Sequence, residues 1–287
     1  MEVHLTNGNL EEGTGSNRGL LYGDGFFDTL LWHGGKAVWG NAHWERMQQS
    51  ARTLALSLPF ASESEWQEQL NRLWQVRGKP QTAKVRTVLW RHHPDPEGRC
   101  SFLPEANTAE WMINLEVLPL NPWTAPALSL VLGNSPVVKC PPLIPDLKSL
   151  SALPYVLAAQ YASLRGWNDA LLQNPGGEWI ESSRSNLFYL KGESWYSPPV
   201  ESGCLPGVTA QQLIAWLHRR GHRVLLQSPN TQDLADARAI WLTNSLQGIQ
   251  SVTLWHRPDT DAPPMTFPEA EWHDLARTAS QELLQTA

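Results

Sequence analysis

Residues 118–127, LPLNPWTAPA, hold prolines at 119, 122 and 126. Proline fixes φ and offers no amide donor, so this stretch continues neither a helix nor an interior strand. It divides the chain of 287 residues. We read 1–118 as an N-terminal domain, 119–127 as an interdomain linker and 128–287 as a C-terminal domain. Strand and helix signals alternate on both sides of the break, which places the chain in the α+β class.

In the first half, LLYGDGFFDTLLWHGGKAVWG predicts a β-hairpin: Phe27, Thr29 and Leu31 alternate, Gly34-Gly35 turns, and Ala37 to Trp39 return. A helix from Asn41 follows, with Trp44, Met47, Ala51 and Leu54 at helical spacing. Ser62 to Glu65 reads as a capping box before a second helix carrying Trp66, Leu70, Leu73 and Trp74. KVRTVLWR (84–91) and WMINLEVL (111–118) read as strands, with HHPDPEGR as a turn after the first. In the second half, ALSLVLG reads as a strand and 149–165 as a helix. DALLQNPGGEWIES and NLFYLKGESWYS are hairpins. VTAQQLIAWLHRRG is a helix closed by Gly221, ARAIWLTNS a strand, and 266–285 a C-terminal helix.

Net charge is −6 and no run of Lys and Arg exists, which argues against a nucleic-acid partner. No apolar run approaches the ~20 residues of a membrane span. The start, MEVHLTNGNLEEG, lacks the plan of a signal peptide, so we expect a cytoplasmic protein. The three cysteines are scattered, and neither CxxC nor HExxH spacing occurs, so no metal site is expected. The 15 tryptophans are read as core and interface packing.

Lysine is scarce: Lys36, Lys79, Lys84, Lys139, Lys148 and Lys191 are all there are. Lys36, Lys79 and Lys191 sit in Gly- or Pro-containing turns, where lysines are solvated. Lys84 and Lys139 are compatible with a surface position. Lys148, in IPDLKSLSALPYVLAAQ, is flanked by apolar residues at an expected helix start. It is either a lysine snorkelling from a helix end or an imine-forming amine, whose proton affinity apolar surroundings reduce. Glu181, in GGEWIESSRSNLF, is either a strand-end surface group or a carboxylate that keeps a proton on a heterocyclic nitrogen. Pro206-Gly207-Val208-Thr209 leads into a helix, and Thr243-Asn244-Ser245 follows a strand. Both are either ordinary caps or anion-binding loops. Arg46 is either a phosphate partner or a surface arginine. Neither Arg86 nor Arg91 is singled out as the contact for a substrate carboxylate.

In this order, these segments resemble the class IV aminotransferases, the fold-type IV pyridoxal-phosphate enzymes. The resemblance runs from about Leu20 to about Val252. It rests on LYGDGFFDTL, HWERM (His-x-x-Arg-Leu with Met47 for Leu), LKSLSALPYVLAAQ through SSRSNLFYLKG, GCLPGVTAQQLI and TNSLQGIQSV. It implies a small N-terminal α/β domain, a larger β-rich C-terminal domain with helices, and a homodimer acting on a small amino substrate. It implies that Lys148 carries pyridoxal 5′-phosphate as an imine and moves protons, and that Glu181 pairs with the pyridine nitrogen. Arg46, Val208, Thr209, Asn244 and Ser245 are implied in holding the cofactor, and Asn186 in steadying the loop beside the ring.

Asn244-Ser245-Leu246 resembles the loop of the 4-amino-4-deoxychorismate lyases more than those of the aminotransferases. That likeness implies cleavage of 4-amino-4-deoxychorismate to 4-aminobenzoate and pyruvate, a folate-pathway step. Transamination of branched-chain or D-amino acids is the alternative. Ser151 stands where the lysine segment usually has Asn, and Ala210 where the phosphate loop usually has Arg. Phe27 and Asp28 stand where some aminotransferases carry Tyr and Glu.

Overall fold

A computed structural model describes residues 3–6, 9–12, 17–92, 107–124, 130–139, 147–258 and 263–287. Two compact units emerge. One comprises 1–117 with 147–151, the other 118–146 with 152–287.

In the first unit, β1 (Val3–Thr6) and β2 (Asn9–Glu12) form an antiparallel pair. A short helix, α1 (Arg18–Tyr22), replaces the start of the predicted hairpin, because Asn17 caps Leu20 and Gly23 closes the turn at φ 64°. β3 (Gly25–His33) and the two-residue β4 (Lys36–Ala37) complete the hairpin. They are followed by α2 (Gly40–Thr53), α3 (Glu63–Val76), β5 (Thr82–Arg91) and β6 (Ala109–Val117). The sheet runs β4-β3-β5-β6, antiparallel throughout. Trp44 and Met47 of α2 and Trp66 and Leu70 of α3 pack with Phe26, Leu30 and Leu89 of the sheet into one core. Ser62 caps α3 through Glu65 N–H, but the Glu65 carboxylate bonds Ala61 N–H, one residue outside the expected box.

The second unit is built on a ten-stranded sheet. It contains β7 (Val131–Val138), α4 (Leu153–Ser163), β8 (Asp169–Gln173), β9 (Trp179–Ser182), β10 (Asn186–Lys191), β11 (Ser194–Ser197) and a 3-10 turn at Val200–Ser202. Then come α5 (Val208–Arg219), β12 (Arg223–Leu226), α6 (Thr231–Ala235) and β13 (Ala239–Asn244). β14 (Gly248–Ser251), β15 (Leu254–Trp255), β16 (Met265–Thr266) and α7 (Ala270–Gln285) complete it. The path is β12-β11-β10-β9-β8-β7-β15-β16, with β13 pairing both β10 and β14. β7 is an interior strand that nevertheless contains Pro136. The lost amide is accommodated by an irregularity between Asn134 and Val138 in its pairing with β8.

Several expectations shift. The predicted linker contains Trp123, which is buried and bonds the Ser245 carbonyl, so that part packs as structure; 125–129 lie outside the described residues, as does HHPDPEGR beyond His92. The helix expected at 149–165 starts at Leu153, with Pro154 in its first turn. The C-terminal helix starts at Ala270, because Met265–Thr266 pairs with β15. Six tryptophans are fully buried: Trp32, Trp66, Trp179, Trp195, Trp241 and Trp255. No helix among the described residues is long and apolar enough to cross a membrane.

The two ends of α3's contribution to the core separate experimentally. Leu70→Ala empties a fully buried site and should lower unfolding free energy by about 2–5 kcal/mol. Ser62→Ala removes only the cap and should cost about 0.5–2 kcal/mol. Urea unfolding of both variants measures the ordering.

Candidate functional site

In the first unit, the lysine segment is extended rather than helical. Phe27 N–H donates to the Lys148 carbonyl at 3.0 Å, and Leu150 N–H donates to the Gly25 carbonyl at 3.1 Å. Phe26 and Ser149 form an antiparallel bridge. Residues 147–151 thus cluster with the N-terminal unit, although the sequence reading placed them in the C-terminal domain. Gly23 makes room for this pairing: a Cβ there would lie 2.2 Å from Ser151 Oγ.

Lys148 Nζ sits 4.8 Å from the centre of the Phe27 ring, and the Arg86 guanidinium lies 4.9 Å from the same ring. Arg86 is exposed, whereas Arg91 is buried against Asp24 and the Leu54 carbonyl. Of the two arginines left open by the sequence, Arg86 is therefore the one available to a ligand.

Asp28, next to Phe27 on β3, points to the opposite face. There it meets α2, whose i, i+3 spacing sets His43 and Arg46 side by side. His43 Nδ1 donates to Asp28 Oδ1 at 2.6 Å, and Arg46 Nε donates to Asp28 Oδ2 at 2.8 Å. Burial works to raise the Asp28 carboxyl, but the charge of Arg46 and the hydrogen bonds from His43 and Arg46 outweigh it and hold the group below the ordinary carboxylate value. Burial pushes His43 down, and Arg46 and Lys148 add to this, while Asp28 opposes them. Arg46 is only 13% exposed in its side chain, so it is no surface arginine.

In the second unit, Glu181 is 2% exposed, and the surface reading of this residue falls away. Its Oε1 accepts from Lys139 at 2.5 Å and from the Tyr155 hydroxyl at 2.7 Å, and its Oε2 accepts from Leu205 N–H at 3.1 Å. The sequence reading missed both partners. Lys139 follows the irregular end of β7 and is buried, not on the surface. Its position at the end of an apolar strand was the available signal. The Tyr155 phenol is pushed far up, by burial first and by Glu181 next.

Asn186 lies opposite Glu181 in the β9–β10 pairing and donates to the Leu205 carbonyl at 2.7 Å. A Cβ on Gly207 would come within 1.9 Å of Asn186 Oδ1, so a side chain there would have to shift the Asn186 amide. Gly207 is the N-cap of α5 and supplies no side chain, which leaves the first-turn N–H groups uncapped by one. Val208 and Thr209 are buried there, and Thr209 Oγ1 bonds Ser245 Oγ at 3.4 Å. Asn244 folds its own loop: its Oδ1 accepts from Leu246 and Gln247 N–H, and its amide reaches Ser185 and Gln247. The buried Thr243 hydroxyl, directly across β13 from Asn186, has no partner among the described residues. An uncapped helix start and two hydroxyls suit a phosphate.

Residues 25–255 match the family model for Amino-transferase class IV. The chain belongs to this family. Its members are pyridoxal-phosphate enzymes, and the α+β fold expected from the resemblance is the one observed. An aminodeoxychorismate lyase from Vibrio harveyi is 24% identical over 245 residues, covering 83% of this chain and 85% of that one. A solved branched-chain aminotransferase from Thermoproteus uzoniensis superposes with a TM-score of 0.80 at 20% identity, over 99% of this chain and 95% of the other. A 4-amino-4-deoxychorismate lyase structure from Pseudomonas aeruginosa gives 0.75 at 23%, over 96% and 95%. The expected class of enzyme is thereby established, while lyases and aminotransferases lie at similar distance.

The buried histidine makes a pH prediction. His43 titrates below its ordinary value of 6.5 when folded, so the unfolded chain binds that proton first as pH falls. The contribution of neutral His43 is present at pH 7 and declines below pH 6.5. Urea unfolding from neutral to about pH 5 should show a shallower loss for His43→Gln than for the wild type.

Proposed function

We propose that this enzyme is a pyridoxal-phosphate-dependent lyase that converts 4-amino-4-deoxychorismate to 4-aminobenzoate and pyruvate. The observation that carries the lyase reading is the Asn244–Gln247 loop. Asn244 braces it internally and presents Ser245 toward Thr209. This loop resembles the lyases' in sequence, and named lyases align over most of the chain.

The residues fit the cofactor. Lys148 is the amine that carries it. Glu181 faces the ring nitrogen, Asn186 steadies the neighbouring loop, and the α5 start with Val208, Thr209, Asn244 and Ser245 holds the phosphate. Arg46 contributes positive charge for the phosphate while Asp28 fixes its orientation. Bound there, pyridoxal phosphate supplies an electron sink for the carbon that bears the amine. Lys148 would take the proton from that carbon. Loss of that proton and of enolpyruvate from the neighbouring carbon would make the substrate ring aromatic, and Lys148 would take the cofactor back as 4-aminobenzoate is released. Lys148 would return the proton as enolpyruvate becomes pyruvate, so no oxidant or water is consumed overall. Arg86, exposed beside the Phe27 ring, is suited to a substrate carboxylate.

We read the protein as cytoplasmic, supplying 4-aminobenzoate for folate synthesis, and as a homodimer. Exposed apolar side chains on α4, namely Leu153, Val156 and Leu157, support a covered face there.

Purified holoenzyme given 4-amino-4-deoxychorismate should release 4-aminobenzoate and pyruvate in equal amounts. Release of neither, with amino-group exchange between an amino acid and a 2-oxo acid, would establish the aminotransferase instead. Lys148→Ala should lose about 10²–10⁴-fold or more of the rate, and borohydride reduction should no longer fix the cofactor to the chain.

A further inference from the structure

Lys139 is buried, whereas Lys148 is only half-buried, and the reaction described above does not use Lys139. Its ammonium has three N–H donors. All three are matched: by Glu181 Oε1, by the Gly203 carbonyl at 2.6 Å, and by the Tyr155 hydroxyl. Tyr155 in turn donates to the same Glu181 oxygen. The other titratable neighbours of this carboxylate stay protonated. Burial, then Glu181, raises the Tyr155 phenol, and the same two causes push the Cys204 thiol up to about 12, with Lys139 opposing. Among the described residues that touch Glu181, Lys139 is therefore the one cation.

We propose that Lys139 is a positioning residue that keeps Glu181 ionised and so keeps the proton of a Glu181–pyridine pair on the ring nitrogen. The inference rests on the reading that Glu181 meets the cofactor ring. Two acidic sites, the carboxyl and the ring nitrogen, share one proton. A cation bonded directly to the carboxylate stabilises its anionic form more than it disfavours the more distant pyridinium, because the interaction falls with distance. Without Lys139, a carboxylate 2% exposed loses its counter-ion, and the proton moves toward it. Leu205 N–H holds Oε2, so the carboxyl plane stays fixed while its proton affinity changes. The cofactor is a better electron sink with its ring nitrogen protonated, so Lys139 acts on the rate through Glu181 without touching substrate.

The test is 15N NMR of holoenzyme reconstituted with pyridoxal phosphate labelled at the ring nitrogen. The wild-type signal should be that of a protonated ring. Lys139→Met should lower the ratio of protonated to neutral ring nitrogen by about tenfold or more, the scale of one adjacent charge. Lys139→Arg should restore the wild-type signal. Should Lys139→Met fail to fold, Lys139→Gln removes the charge while retaining donors for Tyr155 and Gly203. A ring signal that responds to Glu181→Gln but not to loss of charge at 139 overturns the proposal and leaves the Glu181 reading intact. A signal that responds to neither overturns the Glu181 reading, and the proposal with it.

Discussion

The backbone pairing of residues 148–150 with the start of β3 is the constraint on which the lysine's chemistry depends. Two main-chain hydrogen bonds, which together make the Phe26–Ser149 bridge, fix the segment. A side chain on such a segment inherits its position from the sheet, not from a mobile helix end. This is why Lys148 Nζ has a defined neighbour in Phe27, and why Gly23, left-handed and without a side chain, precedes the strand. The first unit holds its core on one face of β3 and the lysine's ring contact on the other, because Phe27 and Asp28 are consecutive.

Each unit also buries charge, and in both it follows the same physical rule. A buried ion is costly unless its hydrogen bonds are complete and an opposite charge is close. Asp28 satisfies this with His43 and Arg46, and Glu181 with Lys139, Tyr155 and a backbone amide. Hydrophobic substitutes could fill the same volume at less electrostatic risk. In both units the carboxylate is instead held by a cation and by further hydrogen bonds, which fix the orientation of the arginine in one and of the lysine in the other.

Much of this was legible in the sequence. The 3.6-residue pattern of Trp44, Met47 and Ala51 and the alternation of Phe27, Thr29 and Leu31 identified α2 and β3, because each packs one face against the core. Glu181, Asn186 and the Gly207 turn were legible through their segments' order. The start of α4 was not. Ser149 and Leu150 carry no helix-breaking residue, and pairing with a strand over a hundred residues earlier holds them in an extended segment. Lys139 was missed for a related reason: a lysine after Val-Val looks like an exposed strand end until the partners from α4, β9 and the 203–205 loop are assembled around it. Such partners are non-local, and no window of sequence contains them.

The departures at Ser151 and Ala210 look different once placed in their units. Ser151 lies beside Gly23 and is exposed, and the absence of a side chain on Gly23 leaves room for its hydroxyl. Ala210 is buried in the first turn of α5, and its Cβ lies 3.4 Å from the position a Gly207 Cβ would take. An arginine there would need a path out of a packed turn. An anion at the start of α5 would therefore be met by backbone N–H groups and hydroxyls, with no arginine side chain in that first turn.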